Sequence, residues 1–230
     1  MRKMKYWMIA TVMFMSVSSF AQDSTYLSNE YAKALAVYKV AQMYNDVEVQ
    51  KTALYDMLVL SPYDSSALRT LAEFYYNNRR YTSSTLVSLD FLKKYPGNMV
   101  ALEITALSYE QLRIYDKAIE YYQEIWLQND DVNILYQLAY LQYSLKRFNE
   151  ANNNIKILET KVGSDLTIGL SKTDGSSQEV KFSAALKNLQ GLLAMEQGKN
   201  EEAKAFFGEA LAIAPDFEAA KLALEGLNKG

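Results

Sequence analysis

Residues 184–215, AALKNLQGLLAMEQGKNEEAKAFFGEALAIAP, predict two helices joined by a short polar turn. In the second helix Ala203, Phe207 and Ala210 are spaced four and three residues apart, so they share one face. Gly198 lies in the turn, and Pro215 ends the second helix because proline cannot continue it. A single helix pair cannot bury such a face, so the pattern should recur along the chain.

The prolines of the chain mark a repeat. Pro62 and Pro96 lie 34 residues apart, and Pro215 occupies the same place in a later unit. If the proline is the thirty-second residue of each unit, five units fit in near register. They begin at Tyr31, Ser65, Met99, Val132 and Ala184.

Small side chains recur at the eighth and twentieth positions of these units. They are Ala72, Ala106, Ala139 and Gly191 at the eighth position, and Ala118, Ala151 and Ala203 at the twentieth. The first unit departs from the pattern, with Tyr38 and Gln50 at these positions. Small residues let two antiparallel helices approach closely, and a bulky residue such as Phe207 fills the space beside them.

From about Tyr31 to its C-terminus the chain resembles the tetratricopeptide-repeat (TPR) proteins, whose period is 34 residues. The resemblance implies an all-α fold, a right-handed α-solenoid of about five helix-turn-helix repeats with a C-terminal capping helix. We expect the repeats at residues 31–64, 65–98, 99–131, 132–162 and 184–217, and the capping helix at 218–230. The repeated residues are packing residues, so the fold alone does not name a partner.

An insert at residues 163–183 interrupts the period. Leu166, Ile168 and Leu170 alternate with polar or small residues, and so do Val180 and Phe182 after a polar segment. The alternation predicts a small β-hairpin whose apolar face packs on the neighbouring helices. The alternative is a mobile loop without fixed strands.

Residues 1–21 predict a secretory signal peptide. Arg2, Lys3 and Lys5 precede an apolar stretch, and Ser19 and Ala21 supply the small residues of a cleavage site. The alternative is a retained anchor, but the stretch is shorter than the roughly 20 apolar residues of a membrane-spanning helix. A polar leader would follow at residues 22–30. We therefore expect an exported bacterial protein in the periplasm, with secretion or membrane association as alternatives.

Composition excludes several classes of function. The net charge is −3 without a basic patch, which argues against nucleic acid as a partner. The chain has no cysteine and no histidine, so it lacks the commonest metal ligands and the commonest general base. No nucleotide-binding or hydrolase motif is present. We expect no catalytic residues, no cofactor, no metal and no enzymatic activity.

The resemblance also suggests a binding surface, because the first helices of TPR repeats line a groove. Residues at the second, fifth, ninth and twelfth positions would face it. The candidate partner-binding residues are Arg69, Glu73, Tyr76, Glu103, Glu110, Tyr136, Tyr140, Tyr143, Leu192 and Met195. Tyrosine suits recognition because it combines a large apolar ring with a hydrogen-bonding tip. A register shift of one residue would instead turn Tyr136 or Tyr140 into the core.

These features favour a non-enzymatic protein- or peptide-binding scaffold or adaptor in the bacterial cell envelope. One alternative is a permanent structural subunit of an envelope complex, and a weaker alternative is a glycan-binding module. After signal cleavage the chain would have no integral membrane span. The sequence leaves the oligomeric state, the partner and the binding face open.

Overall fold

A computed structural model describes residues 25–229. The predicted signal peptide lies outside the described residues. The chain forms two compact units, whose described parts are residues 25–108 and 109–229. Each unit is built of helical hairpins, and the second also contains two short strands. The expected all-α solenoid class with a small hairpin insert is confirmed.

The first unit contains α1 at residues 25–43, α2 (Val47–Leu60), α3 (Ser65–Asn77), α4 (Tyr81–Lys94) and most of α5 (Met99–Gln111). Residues 25–30 of the expected polar leader belong to α1. Side-chain oxygens cap the starts of α3 and α5: Asp64 accepts from the backbone N–H of Ala67 at 2.7 Å, and Asn98 accepts from the N–H of Ala101 at 3.1 Å. These caps satisfy donors that have no partner within the helix.

The second unit begins with the last turn of α5 and continues with α6 (Tyr115–Asn129), α7 (Val132–Ser144) and α8 (Phe148–Lys161). Strands β1 (Thr167–Ser171) and β2 (Ser177–Lys181) come next. The chain then forms α9 (Phe182–Glu196), α10 (Asn200–Ile213) and α11 (Glu218–Lys229).

The turns between paired helices share one backbone conformation. A left-handed residue occupies the fifteenth position of every predicted repeat, at φ between 53° and 73°. These residues are Asn45, Arg79, Arg113, Lys146 and Gly198. Because an L side chain rarely adopts this conformation, its recurrence at one position supports the register derived from the sequence.

Small residues allow close packing where the sequence predicts it. Gly191 on α9 faces Phe207 on α10, and a Cβ added at Gly191 would lie 2.5 Å from a ring carbon of Phe207. Ala118, Ala151 and Ala203 are fully buried. The helices therefore approach at the small side chains, and the bulky neighbours fill the remaining volume.

The first unit uses hydroxyl groups at two of these packing positions. Ser84 and Ser88 are fully buried on α4. Ser84 donates to the carbonyl of Ala72 at 2.9 Å and accepts from Ser108 at 3.0 Å. Each buried hydroxyl has a partner, so polar side chains are tolerated inside this helix stack.

The insert folds into the predicted β-hairpin. Its strands pair antiparallel, with Ile168 opposite Val180, and Val180 is buried. Gln178 binds the hairpin to the start of α11 through two hydrogen bonds. Its Nε2 donates to the carbonyl of Asp216 at 2.8 Å, and its Oε1 accepts from the N–H of Glu218 at 3.1 Å. These contacts to neighbouring elements stabilise a hairpin that would be marginal alone.

Helix α11 covers the apolar end of the second unit. Phe217 and Ala220 are buried, and Leu224 and Leu227 pack on a cluster that includes Phe207. The outward side of α11 carries charged residues such as Lys221 and Glu225, which are exposed. A terminal helix with a polar outer side ends a repeat stack without leaving an apolar face in water.

Candidate functional site

Helices α7 and α9 lie side by side in the second unit. Near their N-termini the rings of Tyr136 and Phe182 meet edge to face, with centroids 5.5 Å apart. Just beyond α7, Lys146 pairs with Glu196 on α9 at 3.2 Å. These two contacts define a surface between the helices, here called the α7–α9 surface. It comprises Glu110, Gln137, Tyr140, Tyr143, Leu192 and Met195.

The three tyrosines of α7 have different environments. Tyr136 is only 5% exposed and packs under Phe182, so its ring belongs to the core and not to the surface. Burial raises the pKa of Tyr136 far above its ordinary value, and nearby Tyr140 adds a smaller effect. Phe182 comes from the junction of the hairpin and α9, which lies outside the repeat pattern. This explains why the sequence register placed Tyr136 in the groove.

Tyr140 and Tyr143 remain accessible on the α7–α9 surface. Tyr140 is 42% exposed, and Tyr143 is half-buried. Their ring centroids are 5.9 Å apart in a tilted arrangement. The pKa of Tyr143 is raised, mainly by burial and then by the nearby carboxylate of Glu196. The Tyr143 hydroxyl therefore stays protonated at neutral pH and can donate a hydrogen bond.

Glu110 forms internal hydrogen bonds that the sequence did not indicate. One carboxylate oxygen accepts from the Tyr122 hydroxyl at 2.7 Å, and the other accepts from Nε2 of Gln137 at 2.7 Å. Glu110 thereby connects the end of α5 to α6 and α7. Its first role is structural, although it borders the α7–α9 surface.

Asn188 is a buried polar residue of α9 that was not among the candidate residues. It lies one turn before Leu192 on α9 and is 5% exposed. Its Oδ1 atom is buried and has no hydrogen-bond partner among the described residues. A signal was present, since Asn188 occupies the same repeat position as Tyr136. Leu192 and Met195 are half-buried and pack against the cluster around Phe207.

The remaining candidates lie in the first unit. Nε of Arg69 is 3.5 Å from the carboxylate of Glu73, one turn apart on α3. Tyr76 packs edge to face on Tyr81, with centroids 5.4 Å apart. Glu103 is exposed on α5. These residues form polar and aromatic pairs within the first unit, and they are described separately from the α7–α9 surface.

Neither unit shows the geometry of a metal centre in its described residues. No group of three or more carboxylates lies close enough to hold a metal ion between residues 25 and 229. Across the same residues, no helix combines the length and apolar character needed to cross a membrane.

Comparison with known proteins agrees with this architecture. The family model described as "Tetratricopeptide repeat" matches residues 101–131, within the third predicted repeat. A comparison with curated proteins found no match.

Solved structures with a similar fold include three proteins of low sequence identity. A TPR protein from Parabacteroides merdae is 16% identical with a TM-score of 0.66; the match covers 87% of this chain and 73% of that one. YrrB, described as a TPR protein with an unusual peptide-binding site, is 15% identical with a TM-score of 0.64, covering 82% and 88%. MamA is 15% identical with a TM-score of 0.62, covering 80% and 92%.

These likenesses concern the fold, because all three identities are low. Helix pairs, left-handed turns at one repeat position and small residues at the close contacts agree with them. The chain therefore has the fold of solved tetratricopeptide-repeat structures, and its residues 101–131 match the model of that family.

Proposed function

We propose that this protein is a non-enzymatic scaffold or adaptor that is exported to the bacterial cell envelope and holds a protein or peptide segment on the α7–α9 surface. The observation that carries the proposal is the accessible pair of Tyr140 and Tyr143, whose ring centroids are 5.9 Å apart. Leu192 and Met195 add half-buried apolar side chains on α9.

The chemistry of this surface suits an extended peptide. Tyr140 and Tyr143 offer ring faces to apolar side chains and hydroxyls to carbonyl groups. YrrB, which has a similar fold, is described as having a peptide-binding site, and this supports the same class of ligand here.

Crosslinking in living cells tests the binding surface. The wild-type protein would be compared with the double variant Tyr140→Ala/Tyr143→Ala. Leu127→Ala serves as a matched control, because Leu127 is an exposed apolar residue on α6 of the same unit. We expect wild type and control to capture the same envelope protein, and the double variant to lose it while melting at the same temperature. Equal capture by all three proteins would contradict the proposed site.

Export is tested separately. The predicted signal peptide would leave a mature chain that starts at Gln22. Intact-mass measurement of the protein from the periplasmic fraction should show this start. A chain that keeps residues 1–21 and fractionates with membranes would contradict export by cleavage. Fractionation only within a large envelope complex would favour the permanent subunit over the adaptor.

A further inference from the structure

The outward face of α1 carries an exposed apolar patch centred on Val40. On a helix the surface neighbours of a residue lie three and four positions away. For Val40 these are Ala36, Val37, Met43 and Tyr44, and all five residues are exposed. Met43 and Tyr44 are 80% and 79% exposed, which is unusual for large side chains grouped on one face.

The patch continues into a shallow depression between α1 and α2. The depression has a volume of about 490 Å³ and is apolar along its length, where Val49 of α2 adds to Val37 and Val40. Its two ends are charged: Lys33 lies at one end and Asp46 at the other. We call this surface the α1 face, and it consists of Lys33, Ala36, Val37, Val40, Met43, Tyr44, Asp46 and Val49.

The α1 face is in the position where a stacked repeat normally meets a neighbour. Each hairpin of a solenoid buries its faces on adjacent hairpins, and terminal units need a polar outer side. Helix α11 has such a side, whereas α1 does not. In the first unit no described residue covers Val40, Met43 or Tyr44. We therefore expect another molecule to cover the α1 face.

We propose that a second copy of this chain covers the α1 face, with the two α1 helices antiparallel about a two-fold axis at Val40. Such an axis brings residue 40+n of one copy against residue 40−n of the other. Tyr44 then lies over Ala36 of the second copy, and Met43 lies over Val37. Large side chains meet small ones on both sides of the axis, so the face is complementary to itself.

The charges fit the same arrangement. Lys33 lies about two turns before Val40 on α1, and Asp46 lies just beyond the other end of the helix, where its N–H donates to the carbonyl of Ala41 at 2.8 Å. An antiparallel copy therefore places each lysine beside the aspartate of the other copy, and the contact occurs twice. A parallel copy would instead place like charges together, so the ends of the depression select the antiparallel orientation.

The area is sufficient for a stable dimer. Tyr26 and Val59 extend the apolar surface beyond the α1 face, since both line a neighbouring depression together with Val37. Covering one tyrosine removes about 150–250 Å² from water, so the two tyrosines with the aliphatic side chains expose on the order of 800 Å². One partner of a standard-size interface contributes about 800 Å².

Analytical ultracentrifugation of the full chain, and of the chain from Gln22, tests the proposal. We expect a concentration-dependent dimer, and Val40→Glu should raise its dissociation constant at least about 100-fold, because it buries two charges at the axis. Leu86→Glu is the matched control: Leu86 is exposed on α4 of the same unit, and the variant should dimerise like wild type. Both variants should melt at the wild-type temperature.

Reversing the charges of Lys33 and Asp46 distinguishes this antiparallel dimer from other arrangements of two copies. Lys33→Asp and Asp46→Lys should each weaken association, and the double variant should restore it. Asp46 also caps α2, accepting from the N–H of Val49 at 3.1 Å, so the double variant is compared with Asp46→Lys, which has lost the same cap.

Three results would overturn the proposal. The first is a monomer at every concentration, and the second is a dimer that Val40→Glu leaves unchanged. The third is a monomer whose α1 amides are protected from hydrogen exchange only when residues 1–21 are present, since that would assign the face to this segment. None of these results depends on the outcome of the crosslinking experiment.

Discussion

Replacing Gly191 by alanine tests the close approach of α9 and α10. A Cβ at this position would lie 2.5, 2.7 and 2.9 Å from three ring carbons of Phe207, which is fully buried. Alanine in a helix is more favourable than glycine by about 1 kcal/mol. Overpacking a core costs about 1–3 kcal/mol, and three contacts under 3.0 Å place this case at the upper end. We expect a net destabilisation of about 1–2 kcal/mol.

Gly208→Ala is the matched control, because it makes the same chemical change on α10. A Cβ at Gly208 meets nothing within 4 Å. The variant should therefore gain about 0.5–1 kcal/mol from the helix preference alone. The two alanine substitutions should thus shift stability in opposite directions.

Urea denaturation followed by far-UV circular dichroism measures both effects. The midpoint should fall for Gly191→Ala and rise for Gly208→Ala, with unchanged slopes. In a Phe207→Leu background the penalty of Gly191→Ala should shrink, because the clashing ring is gone. If Gly191→Ala were as stabilising as Gly208→Ala, the close-packing argument and the repeat register would both be refuted.

Three further substitutions probe the core, the hairpin contacts and the buried hydroxyls. Tyr136→Ala should cost about 3–4 kcal/mol in urea denaturation and Tyr140→Ala less than about 1 kcal/mol, because only Tyr136 is buried; equal costs would contradict the core assignment. Hydrogen bonds from Thr173 hold the pKa of Glu218 below its ordinary value of 4.5. The folded pKa is the lower one, so the carboxylate stabilises the protein at neutral pH, and this contribution is lost as the pH falls below 4.5 through the folded value. Glu218→Gln should therefore lower the melting temperature at pH 7 but not at strongly acidic pH, and a difference that persists in acid would count against the mechanism. Ser84→Ala should cost about 1–2 kcal/mol, because it leaves a buried serine donor without its acceptor; an unchanged denaturation midpoint would show that the hydroxyl pairs contribute nothing.

The repeat pattern was predictable because it is local. Small residues such as Gly191 and Ala203 recur at the eighth and twentieth positions because two helices must approach there, whatever lies elsewhere. The alternation around Ile168 and Val180 predicted the hairpin for the same kind of reason, since strand residues point alternately to opposite faces.

The candidate site was only partly predictable. Repeat positions identified Tyr140, Tyr143 and the neighbouring apolar residues, and the structure leaves the two tyrosines accessible. The same positions also selected Tyr136, which Phe182 covers. They gave no warning that Glu110 is held by hydrogen bonds from two other helices.

The amino-acid sequence by itself determined the helix pairs, their turns and the faces on which they pack. The faces depend on spacings of three and four residues, and the turn lies near the fifteenth position of each repeat. Only the tertiary structure decided which side chains are covered by segments that do not repeat. The hairpin buries Tyr136 through Phe182, whereas nothing described covers Val40 on α1. Exposure depends on what lies beside a helix in space, and at an insert or a chain end no period in the sequence specifies that neighbour.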